Sequence, residues 1–195
     1  MLWRRRTLGL LVTLLIVVAQ PAAALNVEQL LGQIARAGGQ NIAFEESRFL
    51  NTLTTPLISR GRLIYEPPDR LIKLILEPRR ESAVFDEDRL AILDGEDKEI
   101  ASIDLWTQPD LRLTFDSIIA ILTGDVERLR WAFWITLDGD EEDWSLKLVP
   151  KIDASKSRVE KILVSGRGDQ VLSFDFRQPG GDRSLIRLLP ETAAQ

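Results

Sequence analysis

The residues of this chain that could do chemistry are mostly carboxylates. The sequence holds 30 Asp and Glu against 25 Lys and Arg, with no histidine and no cysteine. Without histidine there is no Ser-His-Asp or Cys-His nucleophile, no imidazole metal ligand and no histidine proton shuttle. The densest acid run, Asp138-Gly139-Asp140-Glu141-Glu142-Asp143, has donors for calcium but the wrong spacing. An EF-hand loop needs glycine at its sixth position and glutamate at its twelfth; counted from Asp138, those are Asp143 and Val149. A solvated hairpin loop is the better account of the run. Arg167-Gly168-Asp169 spells an adhesion tripeptide, yet the same residues suit a tight turn in which Gly168 takes positive φ. Gly166–Gly168 lacks the third glycine and the following helix of a dinucleotide site. Paired carboxylates can hydrolyse glycosides, but among 30 acids some pair is suitably spaced by chance, and nothing singles one out. No motif supports an enzyme, and none calls for a cofactor or a metal.

The organisation of the chain is therefore the more informative signal. Met1–Arg6 carries three arginines, Thr7–Ala19 is apolar, and Ala22-Ala23-Ala24 is a small-residue cleavage site. That is the three-part layout of a secretory signal peptide. Gln20 and Pro21 interrupt the run before it reaches the roughly 20 apolar residues of a spanning helix, which disfavours an uncleaved anchor. Cleavage after Ala24 is expected, leaving residues 25–195 as one domain of ordinary size with a sizeable core. The net charge of −5 becomes more negative once three arginines are removed, so nucleic acid is not an expected partner. An exported chain without cysteine must hold together by packing alone. It also lacks the acylated N-terminal cysteine of a lipoprotein, so a soluble periplasmic protein is expected.

The mature chain reads as strands and turns with a helical interruption. Asn26–Arg36 has Val27, Leu30, Leu31 and Ile34 at helical spacing, a plausible cap in Asn26 and a stop at Gly38-Gly39. Ile42–Leu50, Gly61–Tyr65 and Leu71–Leu76 follow as strands, the last two separated by Pro67-Pro68-Asp69. Glu81–Phe85 and Leu90–Leu93 form a hairpin around Asp86-Glu87-Asp88, and Glu99–Leu105 is a further strand. The period then changes. Asp110–Thr123 places Leu113, Ile118, Ile119 and Leu122 at helical spacing, and Asp125–Trp131 is read as a second short helix. Strands resume at Ala132–Leu137, Trp144–Val149, Val159–Ser165, Val171–Phe176 and Ser184–Leu189, with short turn-rich connections.

Short connections make such a sheet antiparallel, and this many strands tend to curl. The expected architecture is mostly β (α+β): an incomplete, strongly curved antiparallel β-barrel of about eleven strands, with helices forming a lid over the concave face. Apolar residues alternate on the strands: Trp131, Phe133 and Ile135; Trp144, Leu146 and Leu148; Leu172, Phe174 and Phe176. Each alone is read most simply as sealed core. Together, under helices, they can enclose a cavity. Leu63, Tyr65, Leu71, Ile75, Trp131, Phe133, Trp144, Leu146, Phe174 and Phe176 are the candidate walls, although alternation leaves open which face turns inward.

Several local patterns combine into a resemblance. Phe44-Glu45-Glu46-Ser47-Arg48-Phe49-Leu50 is followed by Pro56-Leu57-Ile58-Ser59. Gly61-x-Leu63-x-Tyr65-x-Pro67-Pro68-Asp69-x-Leu71 comes next, then Glu77-Pro78. Leu122-x-Gly124-Asp125, Phe133, Trp144-x-Leu146-x-Leu148-x-Pro150 and Ile162-x-Val164-x-Gly166 complete the pattern. Over nearly all of Leu25–Leu189 the chain resembles the LolA-like branch of the periplasmic outer-membrane lipoprotein carriers. The resemblance implies an unclosed eleven-stranded barrel with a helical lid, working as a monomer without cofactor. Its cavity would shield the acyl chains of a lipoprotein or lipid cargo. The donor would be an inner-membrane transporter or an MMPL-type exporter, and the receiver an outer-membrane acceptor. The best-known carriers have an arginine just before the proline that ends the second strand, where it helps to hold the lid shut. Here Glu66 precedes Pro67, and Leu71 or Arg70 stands where those carriers place a phenylalanine. That latch is therefore not carried over to this chain. An exported β-domain that docks on an envelope or lipid-export complex is the alternative.

Overall fold

In a computed structural model of the protein, residues 25–38, 41–151 and 158–189 are described. The expected signal segment and most of the Lys151–Ser157 connection lie outside them. The described residues form one sheet of eleven strands, β1 (Asn41–Phe49), β2 (Leu57–Glu66), β3 (Arg70–Glu77), β4 (Glu81–Asp86), β5 (Arg89–Leu93), β6 (Glu99–Asp104), β7 (Phe133–Gly139), β8 (Trp144–Pro150), β9 (Lys161–Arg167), β10 (Gln170–Arg177) and β11 (Arg183–Leu189). Three α-helices accompany it: α1 (Val27–Ala37), α2 (Pro109–Thr123) and α3 (Val126–Ala132). A short 3₁₀ turn, Leu105–Thr107, precedes α2.

The strand order is β6-β5-β4-β3-β2-β1-β11-β10-β9-β8-β7, antiparallel throughout. The first and last strands thus pair in the middle, and the two free edges, β6 and β7, are consecutive in the chain. The sheet does not close. The segment joining its edges holds the 3₁₀ turn, α2 and α3, so the connectivity carries these helices from one edge to the other. A chain that must bridge the mouth of a curved open sheet does so most economically with amphipathic helices that bury one face against it.

Local chemistry fixes each helix end. Asn26 Oδ1 accepts the Gln29 amide at 2.8 Å and starts α1. Pro109 opens α2, and Gly124, at φ 75°, closes it in the left-handed conformation that glycine adopts without a Cβ penalty. Asp125 caps α3 by accepting the Arg128 amide at 2.9 Å. Ser117 through Leu122 of α2 are all buried, more than one helical face provides. The helix is packed against α1 and α3 as well as over the sheet.

Candidate functional site

Register and alternation define the helix-facing side of the sheet. Ile42, Phe44, Glu46 and Arg48 share it on β1, and pairing carries the same side through Leu63 and Tyr65 on β2 and through Leu71, Lys73 and Ile75 on β3. It continues through Phe85 on β4 and Leu90 on β5. On the other flank it runs through Ile186 and Leu188, Phe174 and Phe176, Ile162 and Val164, then Leu146 and Leu148, reaching Ile135 and Leu137 on β7. All of these but Glu46, Arg48 and Lys73 form one apolar cluster with Leu30, Leu31 and Ile34 of α1, Ile118, Ile119, Ile121 and Leu122 of α2, and Leu129 of α3.

Nine of the ten residues expected from alternation lie on this side: Leu63, Tyr65, Leu71, Ile75, Phe133, Trp144, Leu146, Phe174 and Phe176. Trp131 does not. It belongs to the last turn of α3, not to a strand, and is 83% exposed. Trp134, the next tryptophan, faces the opposite side of the sheet from Ile135, with the Lys151 ammonium 4.7 Å from its ring. Trp144 is the anchor of its flank. Its ring covers Gly166, where a Cβ would come within 2.0 Å of the indole, and its Nε1 donates to the Gly168 carbonyl at 2.9 Å.

The charged loops have structural work. The Asp140 carboxylate accepts the amides of Glu142 and Asp143 at 2.9 and 3.1 Å, closing the β7–β8 hairpin. Arg167 Nε donates to the Glu142 carbonyl at 3.1 Å and the Gly168 amide to that of Glu141 at 2.6 Å, which knits the Arg167-Gly168-Asp169 turn to the neighbouring hairpin.

One feature of this side was not legible from alternation. Glu46, only 4% exposed, meets Lys73 Nζ at 2.5 Å, and Ser184 Oγ and Ser59 Oγ donate to it at 2.5 and 3.3 Å. Burial pushes the Glu46 carboxyl up, but the Lys73 charge and the bonds from Lys73 and Ser184 outweigh it, and the group stays below its usual value. Lys73 also sits 5.5 Å over the Phe44 ring. Glu46 and Lys73 are 27 residues apart. Only the β1–β2–β3 register brings them together.

The helices are tied to the sheet by ion pairs at its rim. Arg128 bonds Asp69 of the β2–β3 turn and Asp116 of α2, each at 2.7 Å. Arg112 pairs with Asp88 of the β4–β5 turn and stacks 4.9 Å over Trp106. Arg130 of α3 pairs with Glu28 of α1.

A family model described as outer membrane lipoprotein carrier protein LolA-like matches residues 19–194. A comparison with curated proteins found no match. Among solved structures, the chain is similar to a LolA superfamily protein from Nitrosomonas europaea, at 11% identity and a TM-score of 0.42, covering 88% of this chain and 98% of the other. It is similar to a chain of the Pseudomonas aeruginosa MucA/MucB complex, at 15% identity and a TM-score of 0.42. There 87% of this chain aligns, but it spans only 60% of that chain. LprF from Mycobacterium bovis shares 12% identity at a TM-score of 0.35, covering 84% of this chain and 91% of the other. With the family model matched over most of its length and an open, helix-covered antiparallel sheet, the chain belongs to the LolA-like family of outer membrane lipoprotein carrier proteins.

Proposed function

We propose that this protein is a periplasmic carrier. It shields the acyl chains of a lipoprotein or a related acylated lipid on the helix-facing side of its sheet, during transfer from the inner to the outer membrane. The observation that carries this reading is the helix-facing side itself: an almost continuous apolar surface in an open sheet, covered by helices strung between its two edges. Leu63, Tyr65, Leu71, Ile75, Phe133, Trp144, Leu146, Phe174 and Phe176 would contact the chains.

Ile118, Ile121 and Leu122 of α2 are buried in one cluster with the sheet residues. Cargo would therefore enter by displacing them. Each buried methylene supplies about 0.8 kcal/mol, so one long acyl chain compensates for the lost helix contacts. Release then follows when an acceptor binds the chain better, or when the helices close again over the sheet. No step of this cycle breaks a covalent bond, and no residue is assigned a catalytic role. The donor would be an inner-membrane transporter or MMPL-type exporter and the receiver an outer-membrane acceptor.

The burial of these helix residues against the sheet favours one other reading, an exported β-domain that docks on an envelope complex and binds no lipid. Native mass spectrometry of protein purified from the periplasm, followed by organic extraction, separates the two. A co-purifying acylated species is expected. A clean apo mass with no uptake of a fluorescent fatty-acid probe would overturn the carrier reading.

A further inference from the structure

The helix-facing side is graded along its strands. On β1 the residues of that side run Ile42, Phe44, Glu46, Arg48, from apolar to charged over about 20 Å. On β11 Leu188 and Ile186 give way to Ser184, which pairs with Arg48. On β2 Tyr65 and Leu63 give way to Gly61 and Ser59, with the exposed Leu57 last, opposite Arg48. One end of the surface around β1 thus carries Glu46, Arg48, Ser59 and Ser184, and Lys73, which stands opposite Leu63 on β3, reaches over the Phe44 ring to bring its ammonium to Glu46.

This cluster is poorly explained by stability. Replacing a buried ion pair by well-packed apolar residues is often neutral or stabilising, so a fold gains little from placing one on a surface meant for hydrocarbon. Its composition is also lopsided. Glu46 neutralises Lys73, whereas Arg48 is exposed and makes no hydrogen bond or ion pair among the described residues, though its charge is near enough to lower the Glu46 carboxyl. The cluster carries one negative and two positive side chains, an excess of one positive charge.

Resting on the carrier reading, we propose that the cargo is an acylated amphiphile whose head is a singly charged oxyanion, a carboxylate or a phosphodiester. The acyl chain lies on the apolar part of the surface. The oxyanion pairs with Arg48 and with the Lys73 N–H donors that Glu46 leaves free, while Glu46 holds Lys73 in place. A fork of guanidinium donors suits either oxyanion. A neutral or cationic head would leave Arg48 without a partner and would bind less well.

The test uses the delipidated mature chain and displacement of the neutral fluorophore N-phenylnaphthylamine. Oleate is compared with oleyl alcohol, and dioleoylphosphatidylglycerol with dioleoylglycerol, so that the two oxyanions are distinguished. At least one anionic compound should bind about tenfold or more tightly than its neutral counterpart. Arg48→Glu should abolish that preference while changing the neutral ligand less than about twofold. Because Arg48 is exposed, the variant is expected to fold. Equal binding of both members of both pairs, or a preference untouched by Arg48→Glu, would overturn the proposal and leave the carrier reading intact. Failure of the fluorophore and of all four lipids to bind would remove the carrier reading, and this one with it.

Discussion

Arg128 of α3 and Asp69 of the β2–β3 turn, 59 residues apart in sequence, meet at 2.7 Å, and the same guanidinium holds Asp116 of α2 at 2.7 Å. Burial works against the Arg128 charge, but the two carboxylates outweigh it and raise its pKa further. Helix and sheet rim are thus joined at the Pro67-Pro68-Asp69 turn, where well-known carriers place an arginine on the strand. The acid is on the turn and the base on the helix.

Arg128→Ala leaves Asp69 half-exposed, where water partly compensates, and the more buried Asp116 with only Arg112, at 3.5 Å, beside it. The expected cost is about 2 kcal/mol in urea unfolding, with faster amide exchange confined to α3 and the end of α2. Unchanged exchange in α3 would show that apolar packing alone keeps the helix in place.

The chain has no cysteine, so thiols introduced at Asp69 and Arg128 would be the only ones present. Bridging Asp69→Cys and Arg128→Cys with a short bis-maleimide should slow exchange of a bound fatty-acid probe at least about tenfold relative to the unbridged double variant, because the helices must move for cargo to pass. Equal rates would place the entry route elsewhere.

Much of this architecture could be read in advance, and the reasons are specific. Turn residues bracket each strand, so all eleven strands lie within a few residues of their expected spans, and the caps at Asn26, Gly124 and Asp125 mark helix ends directly. Trp131 falls both in the expected Asp125–Trp131 helix and in the alternation of the strand after it, because Leu129-Arg130-Trp131-Ala132-Phe133-Trp134-Ile135 satisfies both periods at once. The structure divides it at Phe133, with α3 before and β7 after. The Glu46–Lys73 pair was invisible for another reason. Alternation says which residues of one strand share a side, but contacts between strands depend on register, and the bulge between Arg60 and Gly61 shifts the β2–β3 register further.

Glu46 should leave its mark on acid stability. Its folded pKa lies below the usual carboxyl value, so its contribution is present above the unfolded pKa of about 4.5 and is lost as pH falls through the lower folded value. Glu46→Gln leaves the Lys73 ammonium without its partner, and a loss of about 3 kcal/mol at neutral pH is expected. The gap between wild type and variant in urea titrations should narrow steadily below pH 4.5. A gap that stays constant to lower pH would mean that the carboxylate charge contributes nothing.

Gly166→Ala tests the Trp144 flank. The added methyl would stand 2.0 Å from the indole and 2.3 Å from the Gln170 carbonyl oxygen, and both contacts must open. Backbone in a paired strand yields less readily than a side chain, so the indole should move and lose its bond to the Gly168 carbonyl. A destabilisation of about 2 kcal/mol is expected, read as a lower Tm together with altered near-ultraviolet tryptophan dichroism. An unchanged Tm would show that the flank is loosely packed.

The assignment of the helix-facing side itself predicts opposite outcomes at two residues only two apart. Phe133 is buried in the apolar cluster, whereas Trp131 projects from α3 into solvent. In the proposed carrier cycle a charge at position 133 would lie where the acyl chain is held, and an ion that leaves water without a partner costs several kcal/mol. Phe133→Asp should therefore abolish uptake of the fatty-acid probe. Leu63→Asp, on the other flank of the same side, should do the same. Trp131→Ala removes a larger ring but touches nothing on that side, so uptake should be unchanged. Phe133 and Leu63 are also core residues, so folding must be checked by circular dichroism before uptake is compared. Folded Asp variants that still take up the probe, or a Trp131→Ala protein that does not, would move the binding surface to the outer side of the sheet, where Trp134 lies.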